Sequence, residues 1–334
     1  MFTMHEGFSS GERRLPRRIT QFGGVLALGV LGLAAGLGLP RLLPAPALAP
    51  VDLAALYALP LPPPPSPLAV YHVGHSLVGR DMPAMLGQLM DPGYRYDSQI
   101  GWGATLRAHW GDDAVAGFAE ENAHPRFRPA AEAVDSGDYD AVVLTEMVEI
   151  RDAIRYHDSP AYLRRWAARA MAARPGVRVF VYETWHRLDD PEGWLVRLDR
   201  DLPRYWQSVL LAQAQADPLP QPIHVIPAGQ VMAAFVRALA ALGGVDGLTG
   251  PADLFADEIH LDDRGAYLVA LTHYAVLTQR SPVGLPHRLL RADGTSADAP
   301  GPEAARLMQQ VVWQVVTRHP ETGVPQAAGI REAS

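Results

Sequence analysis

The chain has 334 residues and a net charge of −7, so in bulk it offers no basic surface for nucleic-acid phosphates. It contains no cysteine, which excludes disulfides, thiol nucleophiles and Cys-ligated zinc. The length exceeds what one compact domain usually needs, and the 48% apolar content is ordinary for a globular protein.

Arg13, Arg14, Arg17 and Arg18 form a basic cluster, followed by an uncharged, mostly apolar run from Phe22 to Leu39 and then Pro40 and Arg41. This is the pattern of a signal peptide or a single membrane anchor, and residues 1–49 are assigned to it. Ala45-Pro46-Ala47 is a candidate cleavage site, with an uncleaved anchor the favoured alternative. The basic flank belongs in the cytoplasm, which places the rest of the chain outside it, in a periplasmic or cell-surface setting. Residues 50–67 are dense in proline, ending in Pro62-Pro63-Pro64-Pro65, and read as a semi-rigid spacer between membrane and domain. Val51 to Leu59 is expected to form a short helix on the domain surface. The folded domain is assigned to residues 68–319, and the polar tail, 320–334, is expected to fray.

Within 68–319, strand and helix signals alternate. Leu68–Val73 reads as a first strand and Met82–Met90 as a helix. Tyr94–Ile100 alternates as a second strand, and Asp140–Leu144 is a third, buried one. Pro160–Ala173 is an amphipathic helix with Ser159 as N-cap and Pro160 at its first position. Val177–Tyr182 is a fourth strand, Trp194–Ala216 a helix, Ile223–Ile226 a fifth strand and Gly229–Leu242 a helix. Arg264–Gln279 and Glu303–Thr317 close the series. Buried strands alternating with helices imply an α/β fold with a parallel sheet covered on both faces. Ligands bind such sheets outside the carboxyl ends of the strands.

Chemistry is therefore sought just after each strand. Ser76, in Gly74-His75-Ser76-Leu77, follows the first strand and precedes a helix start, where backbone N–H groups can hold a developing oxyanion. A serine hydroxyl needs a base to take its proton. His260 can be that base, and Asp257, three residues earlier, can fix its tautomer and stabilise the imidazolium. Glu146, after the third strand, and Trp185 and His186, after the fourth, are expected to face the same cleft as substrate-binding residues. His75 either lines that cleft or positions the turn. His72, on the first strand, reads as a core or rim histidine.

These blocks resemble the SGNH/GDSL hydrolase superfamily over about Leu68 to Thr278. Gly74-His75-Ser76-Leu77 corresponds to the family's nucleophile turn, and Asp257-Glu258-Ile259-His260 to its final Asp-x-x-His block. The resemblance implies a flavodoxin-like, three-layer α/β/α sandwich of about five parallel strands in the order 2-1-3-4-5. It implies an oxyanion hole built from the backbone N–H groups of Ser76 and Gly103, with Gly101 as the alternative glycine. The family's third block carries an Asn donor, whereas this chain reads Leu144-Thr145-Glu146-Met147. Thr145 is the candidate donor in its place, since an ionised Glu146 cannot donate.

The implied activity is cleavage of an ester-linked acyl group, acetyl by family analogy, from a small-molecule or carbohydrate substrate through an acyl-Ser76 intermediate. An O-acyltransferase would keep the same triad but exclude water. A non-catalytic, membrane-tethered carbohydrate-binding domain is the alternative from another class, motivated by the missing Asn. No cofactor and no metal are expected: His72, His75, Asp257 and His260 lack the helical His-Glu-x-x-His spacing of a zinc site. Partners reduce to the ester substrate and, through the N-terminal segment, the membrane. The oligomeric state stays open.

Overall fold

The structure, a computed structural model, describes residues 51–111 and 113–326. The anchor assigned to residues 1–49 lies outside the described residues. Among those described, no helix is long and apolar enough to cross a membrane.

Five strands form one parallel sheet: β1 (Ala69–His75), β2 (Arg95–Gly101), β3 (Ala141–Leu144), β4 (Arg178–Glu183) and β5 (Ile223–Pro227). Their order across the sheet is β2-β1-β3-β4-β5, as the resemblance implied. The helices are α1 (Asp81–Leu89), α2 (Leu106–Trp110), α3 (Ile150–His157), α4 (Ser159–Ala173), α5 (Trp194–Asp201), α6 (Ala228–Leu242), α7 (Asp263–Thr278) and α8 (Pro302–Val316). One-turn helices at 53–56, 118–121 and 130–135 carry too short a period to show in the sequence.

Side chains alternate across the sheet as a strand requires. Val70, Val143, Phe180 and Tyr182 join a core with α1, α6, α7 and α8. Tyr71, Val142, Val179 and Val181 join the opposite core with α2, α4 and the segment after α5. Both faces are thus buried, which explains why β3 and β4 read as continuous apolar runs.

Four expectations are corrected. The helix predicted over 194–216 changes at Leu202 into a π-helix, Leu202–Leu211. Pro203 sits at that transition and has no N–H for the α-helical ladder. Ser159 is not the N-cap of α4: Asp158 occupies that position at φ 52, and the Ser159 hydroxyl instead donates to Glu146 Oε2 at 2.6 Å. Residues 57–67 lie along the domain instead of standing off from it. The buried Tyr57 hydroxyl donates to the Ile223 carbonyl at 2.6 Å, Leu61 N–H donates to Gly323 O at 2.8 Å, and the Gln279 amide donates to Leu61 O at 3.0 Å. At the other end, Thr322 and Val324 are buried, so the tail is packed up to that point.

Candidate active site

Ser76 lies one residue beyond the end of β1, in the turn leading to α1. The turn is held from behind. Gly74 faces Thr145, and a Cβ on Gly74 would lie 2.7 Å from Thr145 Cβ and 2.8 Å from Val78 Cγ2, so only glycine fits. His75 is fully buried. Its Nδ1 accepts the Leu77 amide at 3.3 Å and its Nε2–H donates to the Glu146 main-chain carbonyl at 2.8 Å. Burial lowers its pKa to about 4, so it is neutral and a strut of the turn. It is not exposed to substrate.

A second strut has no counterpart in the sequence reading. His109, on α2, donates from Nε2 to the Gly74 carbonyl at 2.7 Å, and the Gln99 amide meets its Nδ1 at 2.8 Å. Gln99 Oε1 in turn accepts the Ala130 N–H at 2.8 Å. Burial lowers the His109 pKa to about 4. A buried polar chain of this kind is satisfied at every step, which is what makes it rigid. Alternating polar positions on a buried strand, such as Gln99, were the one signal that could have pointed to it.

The Asp257–His260 loop is built by its own turn. Asp257 Oδ1 accepts the amides of Ile259 and His260, each at 2.8 Å. Asp257 Oδ2 meets His260 Nδ1 at 2.8 Å, and His260 Nε2 meets Ser76 Oγ at 3.0 Å. The His260 amide and imidazole, with the Ile259 amide, hold the Asp257 carboxyl well below the usual carboxylate range. The ionised carboxylate fixes the proton on Nδ1 and leaves Nε2 free to accept the serine proton. Ala256 N–H donates to His260 O at 2.8 Å, and Leu188 N–H donates to Glu258 O at 2.8 Å. Asp262 then caps α7, accepting the amides of Arg264 and Gly265 at 2.9 Å each. The side chains of His260 and Asp257 remain 46% and 55% exposed, so the relay opens on water. A cleft of about 380 Å³ is lined by Ser76, His260 and the start of α1.

Gly103 follows β2. In the register, Gly101 lies opposite His75, so the Gly103 loop runs beside the Ser76 turn. Gly103 takes φ +54 with open space where a Cβ would be, and among the described residues its N–H has no hydrogen-bond acceptor. Trp102 beside it is 53% exposed, its indole N–H held by Glu121 Oε1 at 2.8 Å.

The remaining predicted positions turn inward. Thr145 is fully buried, its hydroxyl without a partner and wedged against Gly74, away from the open cleft. Glu146 is fully buried too. It accepts from the amides of Leu106 (3.3 Å) and Met147 (2.8 Å) as well as from Ser159, so it ties the start of α2 to α4. Burial raises its pKa to about 7. Trp185 is fully buried and donates from its indole to the Ile259 carbonyl at 2.8 Å. His186 is buried against Asp201, 3.3 Å away. None of Thr145, Glu146, Trp185 or His186 faces substrate. The first residues past a buried strand are still inside the protein, and Glu146, Trp185 and His186 spend their polar atoms on neighbouring segments. Among the described residues no cluster suited to a metal ion is found.

No protein-family model matches the chain, and no curated protein matches it either. Among solved structures, it is similar to a DUF4886 family protein from Bacteroides uniformis, 15% identical, with a TM-score of 0.51 over 76% of this chain and 96% of that one. A provisionally assigned GDSL-like lipase from Parabacteroides merdae, 12% identical, aligns with a TM-score of 0.39 over 63% of this chain and 95% of the other. The first likeness speaks to the fold alone, the α/β fold with five parallel strands described above.

Proposed function

We propose that the chain is a serine ester hydrolase of the SGNH/GDSL type, removing an acyl group, acetyl by analogy, from a carbohydrate or small-molecule alcohol. The observation that carries this reading is the relay from Asp257 through His260 to Ser76, with links of 2.8 and 3.0 Å. Those lengths are within reach of proton transfer.

In this mechanism Ser76 Oγ attacks the ester carbonyl carbon while His260 Nε2 takes its proton. Asp257 stabilises the imidazolium through Nδ1–H. The tetrahedral oxyanion is held by the N–H groups of Ser76 and Gly103. His260 then gives the proton to the alcohol oxygen as the C–O bond breaks, leaving acyl-Ser76. Water, deprotonated by His260, attacks that ester, and His260 gives the proton to Ser76 Oγ as the acyl C–O bond breaks, releasing the acid and free Ser76. The exposure of His260 and Asp257 favours hydrolysis over acyl transfer, because a transferase must keep water from the acyl-enzyme. We place the activity outside the cytoplasm, tethered by the segment over residues 1–49.

A fluorophosphonate probe on the full-length chain tests the reading. Labelling at Ser76, located by mass spectrometry and lost in Ser76→Ala and His260→Ala, is the expected result. A folded protein that stays unlabelled, or that labels equally in His260→Ala, overturns it and favours the non-catalytic binding role.

A further inference from the structure

Beside the Ser76–His260 cleft lies a larger cavity of about 520 Å³. Gly79 and Arg80 line both spaces, so the two adjoin. The floor of the larger cavity includes Tyr94 and Tyr96, whose rings stack with centroids 6.1 Å apart and planes 29° apart. Its wall carries Arg80, Arg126, Arg291 and His124 and not one Asp or Glu.

Two of these arginines are uncompensated. Arg80 donates to the main-chain carbonyls of Glu120 and Glu121, which are neutral acceptors. The Arg126 guanidinium lies 5.1 Å above the Tyr96 ring. Among the described residues neither forms an ion pair with a carboxylate. Arg291 alone is neutralised, forked onto Asp263 at 2.5 and 3.0 Å. His124 braces the wall: its Nδ1 accepts the Arg126 amide at 3.1 Å, and its Nε2 is buried without a partner. The walls are fixed in advance. Gln88 bonds both the N–H and the C=O of Leu290, at 2.9 and 2.8 Å, and Asp81 accepts the Ala292 amide at 2.8 Å.

Guanidinium groups match carboxylate and phosphate oxygens in charge and geometry. Two arginines with no carboxylate partner also raise the local concentration of anions. An aromatic floor offers apolar contact to a ring. We propose that this cavity is a subsite for an anionic sugar, its carboxylate or phosphate held by Arg80 and Arg126, its ring against the Tyr94–Tyr96 floor, and its acyl ester presented to Ser76. The placement of the ester rests on the hydrolase reading above. The anion site does not.

The experiment has a binding arm and a kinetic arm, both on the full-length chain. By calorimetry, glucuronate or glucose 6-phosphate binds at least tenfold more tightly than glucose, and whichever of the two binds better identifies carboxylate or phosphate as the partner group. Arg126→Gln, at an exposed position, abolishes that tenfold advantage, a change of about 1.4 kcal/mol. In the kinetic arm, the kcat/KM ratio for O-acetyl-glucuronate (or O-acetyl-glucose 6-phosphate) over O-acetyl-glucose exceeds ten and falls towards one in Arg126→Gln. Equal binding of glucose and both anions, or an advantage untouched by Arg126→Gln, overturns the subsite. Anion preference with an unreactive Ser76 overturns the hydrolase reading and leaves the subsite standing. Labelling at Ser76 with equal turnover of charged and neutral esters does the reverse.

Discussion

The indole N–H of Trp185 donates to the main-chain carbonyl of Ile259 at 2.8 Å, so a core residue at the end of β4 holds the loop that carries Asp257 and His260. Trp185 is packed edge-on against Phe255, ring centroids 6.1 Å apart, which ties both ends of that loop to the same side chain. Trp185→Phe keeps the ring contact and removes the donor, leaving the Ile259 carbonyl short of a partner at a cost of about 1–3 kcal/mol. The variant should melt at a lower temperature and label with fluorophosphonate at Ser76 more slowly, by up to about 10²-fold, the cost of a 1 Å misplacement of a catalytic group. An unchanged labelling rate would mean that the loop's own Asp257 turn suffices to place His260.

The sheet and its order were legible because the buried strands are short apolar runs and the crossovers between them are helical. Ser76, Asp257 and His260 were legible because their chemistry is local: a turn after a strand, and an Asp–His pair within one turn of chain. The neighbours were not. Position after a strand predicted that Glu146, Trp185 and His186 would face the cleft, yet each is buried. Glu146 is consumed by the amides of Leu106 and Met147, and Trp185 by Ile259. Leu106 and Ile259 lie 40 and 74 residues away in the chain, and no local pattern encodes such pairings. The reach of His109 back to Gly74, over 35 residues, was hidden for the same reason.

Thr145, which stands where the SGNH/GDSL resemblance would put an Asn donor, is a decisive position. Its hydroxyl is buried without a partner against Gly74, a geometry that serves packing and not oxyanion binding. Thr145→Val keeps the shape and deletes an unsatisfied polar atom, whose burial costs about 1–3 kcal/mol. The variant should melt at the same or a higher temperature and label at Ser76 within about threefold of the parent. Removing a true oxyanion donor costs about 10²–10³ in rate. A loss of that size in Thr145→Val would restore Thr145 to the oxyanion hole and show that the turn rearranges when substrate binds.

Acid stability follows from an imbalance between two kinds of buried group. Burial lowers the pKa of His72 to about 3 and those of His75, His109, His224 and His273 to about 4. Each stays neutral in the folded chain but takes up a proton near pH 6.5 when unfolded. The stability that comes from keeping these histidines neutral is whole above pH 6.5 and is lost as pH falls towards 4. Glu146 and Glu183 act in the opposite sense: burial raises them to about 7 and about 8, so their contribution is whole below pH 4.5 and is lost as pH rises through 7 to 8. Between pH 4.5 and 6.5 the five histidines outweigh the two carboxyls. Stability should therefore fall steeply from pH 6.5 to pH 5, by on the order of 1 kcal/mol per pH unit for each uncompensated histidine, and the melting temperature with it. His72 isolates the effect, since neither ring nitrogen has a partner and its ring sits 5.9 Å from that of His273. His72→Leu should match or exceed the parent at pH 7 and lose less stability at pH 5, read by thermal melts across the range. A flat parent profile, or a steeper one in His72→Leu, would show that these histidines gain partners, such as bound water, that hold their protons in the folded state.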